Sequence, residues 1–121
     1  MKEGDVILVP LPQADGLVKN RPAIVLREMP PFNDFLVCGV SSQLYQEVKG
    51  FDEVITETDS DFSESGLLSA SLVRLGFLAV VPRKAIAGAI GKISSERHAR
   101  LLKKLSDHLI QKALPTAATS L

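Results

Sequence analysis

The side chains in this sequence best equipped for chemistry are arginines and hydroxyls rather than acids, imidazoles or thiols. Arg21 stands directly before Pro22 at the head of an apolar run. Its guanidinium offers a fixed fork of donors suited to an anion such as a phosphate. Ser41-Ser42-Gln43 closes another apolar run, and a strand-end hydroxyl beside a cation can hydrogen-bond a developing negative charge. Arg74 lies between Val73 and Leu75, so strand alternation turns it away from their face. Each has a plainer reading. Arg21 can cover a rim with its aliphatic stem, the serines can serve a turn, and Arg74 can occupy the solvent face of a strand.

The remaining reactive residues point elsewhere. No P-loop, GxGxxG, HExxH or GxSxG occurs. His98 and His108 fall in one C-terminal helical pattern at a spacing that is not i, i+4, so they cannot form a helical metal pair and are expected to be solvated. Cys38, the single cysteine, excludes an internal disulfide and any CxxC motif. Set in an apolar run, it is expected to be an inert core thiol. No metal and no cofactor are expected.

The elements that must hold these residues are short. The chain has 121 residues, 45% apolar and 5% aromatic, with 14 basic and 14 acidic side chains. That length predicts one domain with one core. It is expected to span residues 1–114, with a frayed tail at 115–121. Val6–Val9 reads as a strand stopped by Pro10 and Pro12, and Gln13–Asn20 as a loop. Ala23–Leu26 and Phe35–Val40 read as the next strands. Leu67-Leu68, Ser71–Leu75 and Phe77–Val81 read as buried or half-buried strand, and Ala85–Ile93 as a last short strand or turn.

One long helix follows, capped by Ser94 or Ser95, with Glu96 in its first turn. Leu102, Leu105, Leu109 and Ala113 form its apolar face, and Pro115 ends it. Five or six strands with a terminal helix predict a small, mostly antiparallel barrel or half-barrel. No apolar run reaches the ~20 residues of a membrane span. The start, Met1 to Asp5, lacks a signal-peptide pattern. A cytoplasmic location is expected.

Charge is unevenly spread. Residues 44–66 hold seven acids (Glu47, Asp52, Glu53, Glu57, Asp59, Asp61 and Glu64) against one base, Lys49. Asp59–Gly66 reads as an exposed loop, and the whole segment as an acidic flap on a mildly basic body.

The order of these pieces resembles the MazF/PemK (Kid) toxin family. The match runs through Gly4-Asp5-Val6-Ile7-Leu8-Val9, Lys19-Asn20-Arg21-Pro22-Ala23-Ile24-Val25-Leu26 and Val40-Ser41-Ser42-Gln43. Gly66-Leu67, Ser71–Leu75 and Gly91-Lys92-Ile93 continue it more loosely, so that it covers roughly residues 3–112. The resemblance implies an SH3-like barrel that works as a homodimer. It implies a metal-independent endoribonuclease that cuts single-stranded RNA and is bound by a cognate antitoxin protein. It assigns catalysis to Arg21, Ser41 and Arg74, with RNA contacts at Lys19, Asn20, Ser42 and Gln43. Some members carry an acid two residues after the second arginine and a further arginine beyond it; here Gly76 and Ala79 stand in those places.

Two other functions compete. One is a non-catalytic module that binds RNA or a protein, favoured by the missing acid. The other is a gyrase-directed toxin of the CcdB branch, against which the Arg-Pro and Ser-Ser-Gln features weigh. Leu67, Leu68, Leu72, Phe77, Leu78, Val80 and Val81 exceed what one small barrel face needs, so part of this set is expected at a subunit interface.

Overall fold

In the computed structural model the strands are β1 (Asp5–Pro12), β2 (Val18–Met29), β3 (Asp34–Ser41), β4 (Glu53–Ile55), β5 (Ser71–Val81) and β6 (Gly88–Lys92). One helical turn, α1 (Phe62–Ser65), precedes β5, and the long helix α2 (Ser95–Gln111) follows β6. The structure describes residues 1–12 and 14–111. Gln13, Ala113, Pro115 and the expected tail therefore lie outside the described residues.

The strands form one antiparallel sheet in the order β4-β5-β3-β2-β1-β6. Its edges β4 and β6 do not pair with each other, so the sheet is a half-barrel. Apolar residues from successive strand positions go to opposite faces. Ile24, Leu26, Cys38, Val40, Val73 and Leu75 pack with Leu101 and Leu105 of α2. Ile7, Val9, Ala23, Val25, Phe35 and Val37 fill the other face. Both faces are buried, so the strands read as continuous apolar runs rather than as an alternation.

Several boundaries differ from the expectation. β1 does not stop at Pro10 but continues through Pro12. Its pairing to β6 ends at Leu8, and a strand with an open side accommodates proline. Lys19 and Asn20 belong to β2, paired with Leu11 and Pro10, rather than to a loop. β5 is a single strand from Ser71 to Val81, with a register shift opposite Cys38 and Gly39 that leaves Leu75–Phe77 out of the ladder. Leu67 and Leu68 are not strand, and Leu68 is 98% exposed. Leu72, counted as surplus apolar surface, is fully buried.

Asp59–Gly66 is not an exposed loop. Asp61 and Ser65 are buried, and the segment is pressed against β6. A Cβ on Gly91 would lie 2.1 Å from the Glu64 carbonyl oxygen, and one on Gly66 would lie 2.1 Å from that of Ile90. Only glycine permits so close a passage of backbone.

α2 starts where the serines placed it. Ser94 Oγ accepts the Arg97 N–H at 3.1 Å, an N-cap. Its buried residues are Arg97, Leu101 and Leu105, whereas Leu109 is 62% exposed. The helix thus turns an arginine, not only leucines, toward the protein interior. His98 is half-buried, with Nε2 2.8 Å from the Leu26 carbonyl oxygen, while His108 stays exposed with its ring 4.6 Å from that of Phe51. Cys38 is fully buried, and burial pushes its thiol up to about 12. No described helix is long and apolar enough to cross a membrane.

Candidate functional site

A cleft opens where β2 and β3 part. β2 pairs with β3 only from Ala23 onward, while Val18–Pro22 remain paired with β1 alone. β3 meanwhile follows β5, with Gly39 opposite Arg74 and Ser41 opposite Leu72. Pro22 has no N–H with which to extend a ladder. The strands splay at that point, and Arg21 and Ser41 flank the gap.

The resulting cavity of about 890 Å³ is lined by Arg21, Ser41, Ser42, Gln43 and Arg74 among others. Register explains the convergence. Arg21 has the parity of Ala23 and Val25, and Ser41 that of Phe35 and Val37, so both share the face opposite α2. Arg74 joins them through its pairing with Gly39. Lys19 and Asn20 are exposed on β2 and do not line the cleft.

The turn after β3 orients its hydroxyl. Ser41 Oγ accepts the Gln43 N–H at 3.0 Å, which leaves the O–H as a donor. The Arg74 guanidinium carbon lies over the Phe77 ring, 5.8 Å from its centroid. Leu67, Leu68 and Ser69 build the facing wall. Among the described residues, no carboxylate or imidazole lines the cleft. Gly76 does not line the cleft either. A Cβ there would approach Phe51 at 4.0 Å, away from Arg21.

Phe77, Ser69, Ser71 and Gln46 also line the cleft and were missed. Phe77 reads in the sequence as one more alternating strand residue. Ser69 and Ser71 follow a segment held back against β6, where Gly66 passes Ile90 and Gly91 passes Glu64 and Ser65. Among the described residues no group of His, Cys, Asp or Glu is arranged to hold a metal ion.

The opposite side of the molecule gathers the acids. Arg97, buried in α2, donates from Nε to Asp61 Oδ2 at 2.8 Å, from Nη2 to Asp61 Oδ1 at 3.2 Å, and from Nη1 to Glu53 Oε1 at 2.9 Å. Arg100 and Lys104 close on Glu53 at 3.1 Å each. Asp52 is buried as well, accepting the Leu75 N–H at 3.0 Å and the Val48 N–H at 2.9 Å. These carboxylates are therefore not a flap over the cleft.

Burial works to raise Glu53, but the hydrogen bonds and charges of Arg100 and Lys104 outweigh it and hold the group below its ordinary value. Burial likewise opposes ionisation of Asp61, and the Arg97 guanidinium and the Ser94 N–H prevail. For Arg97 itself, burial is outweighed by Asp61, Glu53 and Asp59, so its pKa is raised. In the sequence Arg97, Arg100 and Lys104 recur at helical spacing, but nothing there shows that they meet residues 52–61.

Comparison with known proteins bears on this geometry. A family model described as the PemK-like, MazF-like toxin of type II toxin-antitoxin system matches residues 2–109. No curated protein matches the sequence. Among solved structures, the Mycobacterium tuberculosis toxin MazF-mt6 superposes with a TM-score of 0.62 at 18% identity, covering 87% of this chain and 95% of that one. At that identity the likeness is one of fold.

Proposed function

The chain belongs to the PemK-like, MazF-like family of type II toxins, and from that premise we propose that it cleaves single-stranded RNA in the cleft and thereby arrests growth. One observation carries the proposal. The splay of β2 from β3 gathers Arg21, Ser41 and Arg74 on one face around a single cavity.

The chemistry follows from that donor set. The substrate's 2′-OH attacks the adjacent phosphorus, forming a 2′,3′-cyclic phosphate and breaking the bond to O5′. The phosphorane between carries additional negative charge. Arg21 donates to it and to the departing O5′, and the Ser41 O–H donates to a non-bridging oxygen. Arg74 holds a flanking phosphate. Among the described residues no carboxylate or imidazole lines the cleft; in this reading the 2′-OH proton passes to solvent, and O5′ takes a proton from Arg21, which water restores. Ser42 and Gln43 stand at the cleft to contact the RNA. Lys19 and Asn20 extend the exposed track along β2.

The same reading gives the protein a cognate antitoxin as partner, a homodimer as working form and the cytoplasm as location. Leu78 and Val80, exposed on β5, are apolar surface that a second subunit suits.

The test is incubation of the purified protein with mixed-sequence RNA in EDTA and mapping of the new 5′ ends. Discrete cuts that vanish in Arg21→Ala are expected. Intact RNA with measurable gyrase inhibition would replace this reading by the CcdB-like one. Inactivity in both assays would leave a binding module.

A further inference from the structure

β5 changes face beside the cleft. Cys38 pairs with Leu78, yet the next residue, Gly39, pairs with Arg74, so Leu75, Gly76 and Phe77 bulge out of the ladder. Val73 and Leu75 point into the core under α2. Phe77 has their parity, and an unbroken strand would send it there too. The bulge instead sets Phe77 with Ala79 and Val81 against the opposite cluster, the face that carries Arg74.

The ring is held from two directions. Arg74 lies over it at 5.8 Å. Its Cγ and Cδ1 also lie close to the Gly39 backbone, where a Cβ would stand only 3.3 Å from both. Glycine at 39 is what lets the ring settle there. An arginine side chain that meets a phosphate loses rotamer freedom, and one already held by a cation–π contact has less to lose.

We propose that Phe77, seated on Gly39, is the positioning residue that holds Arg74 in the cleft for an RNA phosphate. The proposal rests on the reading of the cleft as an RNA site. It assigns the bulge a purpose: it exchanges a place in the α2 core for a platform under the second arginine.

The experiment uses a short, fluorescein-labelled, mixed-sequence 2′-O-methyl RNA, which lacks the nucleophile and so binds without being cut. Its affinity is measured by anisotropy for the parent, Phe77→Leu, Phe77→Tyr and Gly39→Ala, each with and without Arg74→Ala. Phe77→Leu and Gly39→Ala are expected to weaken binding about 2- to 5-fold, the worth of a cation–π contact at a partly exposed site. Phe77→Tyr keeps the ring and is expected to match the parent. In the Arg74→Ala background neither substitution is expected to weaken binding further.

An unchanged affinity in Phe77→Leu overturns the proposal, as does an equal loss with Arg74 already removed. Should circular dichroism show Phe77→Leu unfolded, Gly39→Ala with and without Arg74 decides by the same criterion. A parent that binds this strand but leaves all-ribose RNA intact defeats the cleavage reading and leaves the Phe77 result to be judged on affinity. A parent that does not bind at all overturns the positioning role.

Discussion

Arginine serves opposite purposes on the two faces of this sheet. Under α2, Arg97 is buried and its guanidinium is shared among Asp61, Glu53 and Asp59. In the cleft, Arg21 and Arg74 line an open cavity to which no other described residue contributes a carboxylate. A buried charge must be answered by its neighbours, so Arg97 ties the acidic segment to the helix and has little left for a ligand. Guanidinium groups facing an open cavity without acids suit an incoming anion. The difference lies in what surrounds the side chain, not in the side chain.

Removing Arg97 is the severest test of this contrast. Arg97→Ala leaves Asp61 buried without its cation, and Glu53 with only Arg100 and Lys104, and is expected to destabilise the fold by ~3–5 kcal/mol. Chemical denaturation measures this, and a loss within the error of the midpoint would mean that the cluster is not structural. Arg21→Ala should do the reverse. It is expected to lower the cleavage rate by ~10²–10³, the effect of losing one oriented donor, with a far smaller shift of the unfolding midpoint than Arg97→Ala.

Acid separates the regions further. Glu53 and Asp61 have lowered pKa values in the folded chain. Such groups bind fewer protons folded than unfolded, so their stabilisation is complete above the unfolded values of about pH 4. It is lost as pH falls through the lower folded values. Thermal unfolding followed from neutral pH downward should show a plateau and then a decline. Arg97→Met should flatten that decline, and an undiminished slope would place its origin elsewhere. The smallest effect belongs to the exposed pair of Lys103 and Asp107 on α2, 2.9 Å apart. Lys103→Ala is expected to cost no more than ~0.5 kcal/mol by the same denaturation assay, since solvent screens the pair. A loss comparable to that of Arg97→Ala would erase the distinction between buried and exposed ion pairs.

The sequence carried the strand runs, the Ser94 cap and the buried Cys38 because each follows from local composition. It also picked out Arg21, Ser41 and Arg74, although they are far apart in the chain. It misjudged the acids at 52–61 because counting charges does not show what neutralises them; the answering bases are on α2, more than one element away. It took Leu72 for surplus surface and Leu68 for buried strand because exposure there depends on how residues 66–71 fold back over β6. It passed over Phe77 because alternation alone predicts the wrong face once a strand bulges.

By itself, then, the sequence determined which segments extend, where the helix begins and which side chains have donors to offer an anion. Periodicity, capping and side-chain chemistry act over a few residues and are written in their order. The tertiary structure alone decided that β2 and β3 separate after Pro22, that the acids meet Arg97 instead of solvent, and that the bulge at Leu75–Phe77 brings an aromatic ring beneath Arg74. Register, strand divergence and the pairing of buried charge depend on elements distant in the chain, and they are fixed only when the two faces of the sheet are packed.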